Sequence, residues 1–146
     1  SHKANSFAIK WQTDKTGATL RACHDGYKRQ FGCVHHRSFL LSDNVLTIKD
    51  ALTGNRDHSI CLCYHCAPEC MVKQETGNRV SVTCGSISAF LSLPENLEVS
   101  IHKGETCAGW YSPHFGVKIP AFTIFAKGRF IFPLALTTSI EVTNER

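Results

Sequence analysis

The sequence lacks any apolar run near the roughly 20 residues that a membrane-crossing helix requires, so no membrane span is expected. Its opening, Ser1-His2-Lys3-Ala4-Asn5-Ser6, carries no apolar stretch and shows no signal peptide. Methionine is nearly absent: the one Met is Met71 and the first residue is Ser1, which suggests a domain excised from a larger protein. No stretch of a dozen residues keeps a helical period free of Gly or Pro, so helix should be minor. The chain has no Gly-rich phosphate loop, no G-x-S-x-G elbow and no H-E-x-x-H pattern, and none of the chemistry those motifs carry is indicated. Nothing points to nucleic acid.

What is present is an ordinary globular composition over 146 residues, 42% hydrophobic and 19% charged, enough to bury a core in one domain. Short β-rich runs alternate with turn residues at the spacing of an antiparallel β-sandwich. The predicted strands are Ser6–Trp11, Ala18–Cys23, Val34–Leu41, Val45–Asp50, Ser59–Ala67, Val72–Thr76, Arg79–Cys84, Ile87–Leu93, Glu98–His102, Ile119–Ala126, Arg129–Pro133 and Thr137–Val142. Ser42-Asp43-Asn44 and Thr76-Gly77-Asn78 read as hairpin turns, since Asn and Gly tolerate positive φ. Lys127-Gly128 reads as a break between two strongly apolar segments. The expectation is one all-β domain over residues 1–146.

Charge is uneven. Residues 1–60 hold nine basic and five acidic side chains, and six of the eight His precede residue 66. Such a surface attracts anions, an acidic sugar chain among them, although on charge alone a solvated face without a ligand is the preferred reading. Eight Cys permit a disulfide framework, but a chain of this length does not require one.

Three clusters could carry chemistry. Cys61, Cys63, His65, Cys66 and Cys70 fall within ten residues, and thiolate and imidazole are zinc ligands. A strand, however, would place Cys61, Cys63 and His65 on one face and Cys66 on the other. Buried thiols are therefore favoured over zinc. His24-Asp25-Gly26-Tyr27 precedes His35-His36-Arg37; His and Asp can share a divalent metal and Tyr can move a proton, or the segment can be a structural turn. Trp110 and Tyr111, between Gly109 and Gly116, can stack on sugar rings or plug the end of a sandwich, and the plug is the simpler reading.

Taken in order, these segments resemble the β-sandwich region of heparinase II/III-like polysaccharide lyases. Ala22-Cys23-His24-Asp25-Gly26-Tyr27 is similar to an A-x-H-D-G-Y segment, and Val34-His35-His36-Arg37 to V-x-H-x-R. Ile48-Lys49-Asp50-Ala51-Leu52-Thr53-Gly54 matches I-x-D-x-L-x-G, and His58 to Pro68 matches a strand carrying two His and a Pro. Gly109 to Gly116 matches G-W-Y-S-P-x-Y-G with Phe115 in place of Tyr.

The resemblance implies an acidic polysaccharide such as a glycosaminoglycan as partner, cleaved by β-elimination. It also implies an N-terminal α/α toroid, supplying most of the catalytic groups and belonging to the same parent chain, and a bacterial envelope or periplasmic setting. Without the toroid the isolated domain should be inactive; the alternative is a non-catalytic carbohydrate-binding or structural domain. The residues assigned through the resemblance are Tyr27 as a catalytic group, and Arg37, Trp110 and Tyr111 as substrate contacts. His24, Asp25 and His35 are assigned as ligands of a divalent metal, zinc or calcium. An H-N-T segment that would add a further His is absent.

Overall fold

The computed structural model describes residues 3–144, so the outer limits of the domain expected over 1–146 lie outside the described residues. Among them are thirteen strands and one four-residue helix. The chain is all-β with antiparallel sheets, as expected of a sandwich of short strands. It forms two compact units: one from residues 3–59 with Arg129–Glu141, the other from Ile60–Gly128 with 142–144.

The first unit holds β1 (Ser6–Asp14), β2 (Gly17–His24), β3 (His35–Ser42) and β4 (Val45–Leu52), and most of β13 (Leu134–Asn144). They are hydrogen-bonded in the order β1-β2-β3-β4-β13. Alternation drives this: Ile48 and Leu136 are buried on one face, while Lys49 and Ala51 between them stay exposed. The β1–β2 turn is pinned by Asp14, whose Oδ1 accepts from the Thr16 N–H at 2.7 Å and the Gly17 N–H at 3.2 Å. Position 17 must be glycine, because a Cβ there would sit 1.9 Å from the Leu41 carbonyl oxygen. The β3–β4 hairpin turns at Asp43-Asn44, where Asp43 takes φ 51°, within the segment anticipated. A helix, α1 (Lys28–Phe31), fills the β2–β3 connection and ends at Gly32 in the left-handed region.

The second unit holds the meander β6 (Met71–Gln74), β7 (Arg79–Cys84) and β8 (Ile87–Ser92). In it β9 (Glu98–Lys103) pairs with β12 (Phe122–Ile131), which also neighbours β5 (Asp57–His65). A short ribbon joins β10 (Trp110–Tyr111) to β11 (Ile119–Pro120). Val80, Ile124 and Ala126 are fully buried there.

The anticipated break at Lys127-Gly128 does not occur. Lys127 lies opposite Glu98 in the ladder and β12 continues to Ile131. An opposite charge across the strand gives Lys127 a reason to stay paired. The chain turns instead at Phe132-Pro133, where proline has no N–H to extend a ladder. The segment expected as one strand over 119–126 is interrupted at Ala121, which turns its N–H to the Gly109 carbonyl at 2.9 Å.

Candidate functional site

The registers of β2, β3 and β4 assemble one polar cluster in the first unit. His24 lies opposite His35, and Arg37 lies directly opposite Asp50. Directly paired residues share a face, and residues two apart along a strand do too. His24, His35, Arg37 and Asp50 therefore project to the same side as buried Ile48.

Asp50 is the anchor. Its side chain is 2% exposed, and it accepts from Arg37 Nε at 2.6 Å and Nη2 at 3.1 Å. The same carboxylate meets His35 Nε2 at 2.5 Å. Burial pushes the carboxyl toward the neutral form, but the bonds and charges of His35 and Arg37 outweigh it and hold its pKa below the usual value.

The proton positions follow from counting donors. The Gly26 N–H donates to His24 Nδ1 at 3.2 Å, so His24 carries its proton on Nε2. That proton points at His35 Nδ1, 3.0 Å away. His35 then carries its own proton on Nε2 and donates it to Asp50. The result is a single directed chain of hydrogen bonds from Gly26 through His24 and His35 to Asp50. Burial is the main reason that the His24 pKa is lowered, followed by the charge of His35.

Tyr27 completes the cluster at the start of α1. Its ring meets His24 edge-on with centroids 4.9 Å apart and stacks near His35 at 6.3 Å. Tyr27 is 43% exposed. His24, Tyr27 and His35 thus converge on one surface, as their closeness in sequence leads one to expect.

Other anticipated residues are placed differently. Asp25 turns to Asn5, accepting from its N–H at 2.8 Å, and that bond is the main reason its pKa is lowered. Both His24 nitrogens and both His35 nitrogens are hydrogen-bonded as arranged. Among the described residues no group of three or more His, Cys, Asp or Glu is placed to hold a metal ion. Arg37, expected to face a uronate, turns Nε and Nη2 to Asp50.

In the second unit, Lys118 Nζ sits 3.9 Å from the centre of the Trp110 ring, and Trp110 Nε1 donates to the Glu105 carbonyl. Tyr111 is 45% exposed and Phe115 wholly so. The turn that precedes them closes where the Gly104 N–H donates to the Gly109 carbonyl at 2.7 Å. Position 109 has φ 81° and no room for a Cβ, which would lie 2.6 Å from Gly104 N.

The cysteines correct a second expectation. Cys61 and Cys63 do share one face of β5, but it is the exposed face, with their sulfurs 3.5 Å apart. They are not core thiols, because Leu62 and Tyr64 take the shielded side of the strand. Cys70 is buried and Cys66 half-buried. Burial, followed by the nearby Cys70 thiol, pushes the Cys66 pKa up to about 11.

Sequence reasoning passed over Asp50 as a site residue. The signal was available: in Ile48-x-Asp50-x-Leu52 a carboxylate occupies the apolar phase of an alternating strand, which demands a buried partner.

Fold and cluster together define an all-β domain with an internally paired acid–imidazole chain beneath an exposed tyrosine. The chain belongs to the family described as "Heparinase II/III-like, C-terminal", whose sequence model matches residues 2–142. Among solved structures it is similar to heparan sulfate lyase HepC from Pedobacter heparinus, at 15% identity and a TM-score of 0.78, over 98% of this chain and 22% of that one. It is also similar to a heparinase III gene product, at 19% identity and a TM-score of 0.76, over 96% of this chain and 22% of that one. The chain therefore spans about a fifth of the length of these neighbours. Comparison with curated proteins gives no significant match. No helix among the described residues is long and apolar enough to cross a membrane.

Proposed function

We propose that this chain is the C-terminal β-domain of a polysaccharide lyase that acts on a uronic-acid-containing polysaccharide by β-elimination, working opposite a helical α/α toroid on the same parent chain. The observation that carries this reading is the convergence of exposed Tyr27 on His24 and His35, in a chain whose family is that of heparinase C-terminal regions. In β-elimination a base removes the proton next to the uronate carboxylate and an acid protonates the departing glycosidic oxygen. A phenol can serve in either transfer when a neighbouring group sets its position. In this reading Tyr27 is the group of this domain that touches substrate, while His24 and His35 position it. Arg37 acts through Asp50, by fixing the carboxylate that orients His35. No step is routed through a metal.

The test uses the parent chain with heparan sulfate as probe. Formation of the unsaturated uronate product is expected, with kcat reduced about 10²-fold or more by Tyr27→Phe. The 146-residue chain alone should form none. A parent chain whose kcat is unaffected by Tyr27→Phe sinks the role assigned to that residue, and a parent chain that forms no unsaturated product sinks the lyase reading. A second reading, a non-catalytic carbohydrate-binding domain, is favoured by the exposed rings of Tyr111 and Phe115. It predicts glycan affinity that Tyr111→Ala abolishes, in a parent chain without elimination activity.

A further inference from the structure

The opposite face of the same sheet is built unlike the face that carries Asp50. Lys10 of β1 lies opposite Arg21 of β2, Arg21 opposite Ser38 of β3, and Ser38 opposite Lys49 of β4. One cross-strand row therefore reads Lys-Arg-Ser-Lys. With neighbouring strands about 4.8 Å apart, the row spans about 14 Å. Like charges directly opposite each other destabilise a ladder, yet Lys10 and Arg21 are so placed, both exposed. Among the described residues neither they nor Lys49 forms an ion pair with an acid.

The next row runs from Phe7 of β1 through Cys23 and His36 to Ala51, and Cys23 Sγ lies 2.8 Å from His36 Nδ1. That bond holds the imidazole along the floor. The ladder between β1 and β2 bulges between Phe7 and Lys10, with Ala8 at φ 51°, and a bulge re-aims the residues beside it. Together these features form an open cleft of about 390 Å³ whose lining includes Lys10, Arg21, His36, Ser38 and Lys49 and no acidic residue.

We infer that this cleft is a second binding site, separate from the Tyr27 cluster, that holds the sulfate or carboxylate groups of an acidic saccharide chain. The identity of the occupant rests on the polysaccharide reading above; the anion preference rests on the cleft alone. An anion lying along the row relieves the Lys10–Arg21 repulsion. The Ser38 hydroxyl adds a neutral hydrogen bond between the charges. A sugar ring fits the floor because Cys23 and Ala51 leave room where longer side chains would not. A linear acidic polymer thus meets cations at intervals along its length, which suits successive charged sugars better than one compact ion. The site anchors a portion of the chain away from the reacting bond.

The experiment titrates the 146-residue chain with a heparin tetrasaccharide, an unsulfated uronate tetrasaccharide and inorganic polyphosphate, reading amide NMR shifts and calorimetric affinity. Arg21→Glu and Lys49→Glu are each expected to weaken binding of the heparin tetrasaccharide about tenfold or more. Lys15→Glu, an equal charge change at the β1–β2 turn, should alter it by less than about twofold. Arg21→Glu also places an acid opposite Lys10, so its melting temperature should rise while its affinity falls, which separates lost binding from lost folding.

Equal weakening by all three variants, or shifts confined to residues outside the cleft, overturns the site. Polyphosphate binding as tightly as the heparin tetrasaccharide overturns its saccharide character. Comparison of the two saccharides assigns the recognised group to sulfate or carboxylate. In the parent chain Arg21→Glu should raise KM with kcat unchanged. If product forms and KM does not move, the cleft fails alone. If no product forms, the lyase reading fails and the titration still decides the cleft.

Discussion

Replacing Asp50 by asparagine tests whether the polar cluster is held from below. The substitution keeps the volume but trades a carboxylate, which only accepts, for an amide that must also donate. Three donors currently converge on that carboxylate: Arg37 Nε, Arg37 Nη2 and His35 Nε2. An amide oxygen can satisfy the Arg37 Nε–H, but the amide NH₂ then faces a second donor. His35 cannot adjust by moving its proton to Nδ1, because His24 already points a proton there. His24 cannot adjust either, because the Gly26 N–H occupies its Nδ1.

The loss is therefore at least one charge-assisted hydrogen bond, worth about 1.5–3 kcal/mol, together with a buried donor left unmatched, about 1–3 kcal/mol. Side-chain exposure of 38% at Arg37 lets water recover part of this. The expected cost of Asp50→Asn is about 3 kcal/mol, which at a urea m-value of about 2 kcal/mol/M shifts the midpoint down by about 1.5 M. Asp50→Ala should cost at least as much. Urea unfolding followed by far-UV circular dichroism, with nitrogen NMR of the imidazoles, measures both the stability and the tautomers. A loss below about 0.5 kcal/mol, the scale of an ordinary surface change, would refute the anchoring argument. So would a switch of His35 to the tautomer protonated on Nδ1 in Asp50→Asn.

Two further outcomes follow from the titrating groups. The folded-state pKa values of Asp50 and His24 are both lowered, so the unfolded chain binds protons more readily at each. The His24 contribution should be complete above the ordinary histidine value of 6.5 and decline as pH falls through its folded pKa, and that of Asp50 should decline below the ordinary aspartate value of 3.8. Urea midpoints rising as the pH is lowered from 7 to 3 would contradict both signs. The Cys61 pKa is raised to about 11 by desolvation first and then by the hydrogen bond and charge of Cys63. Cys63→Ser should therefore speed alkylation of Cys61 by iodoacetamide at pH 8 severalfold, because the thiolate is the nucleophile; an unchanged rate, read by peptide mass spectrometry, would contradict the coupling.

Much of the fold is readable from alternation. Glu98-Val99-Ser100-Ile101-His102 and Ile48-Lys49-Asp50-Ala51-Leu52 announce their two faces directly. Lys127-Gly128 misleads because glycine is read as a breaker, whereas its ladder position depends on Glu98, nearly thirty residues away. The cysteines mislead for a related reason. Alternation assigns Cys61 and Cys63 to one face, but the choice of inner face belongs to Leu62 and Tyr64, which bury more apolar surface.

In the candidate site, the closeness of His24, Tyr27 and His35 is legible because short connections join neighbours. The role of Asp50 is not, since its partners Arg37 and His35 are fixed by a hairpin register. Nor does the sequence show that Lys118 would cover the Trp110 ring, while Phe115, which merely departs from the family pattern, is the ring left fully exposed.

The pairing of β4 with β13 has a consequence for synthesis. Leu52 of β4 is matched with Leu134 of β13, and the ladder runs on to Val45 opposite Glu141. On the ribosome the strand bearing Asp50 must wait, one edge unmatched, until β13 has emerged. A nascent chain stopped at Gly128 would present that edge to any neighbouring strand. The length already made would not protect it, because the missing partner is made only after β12.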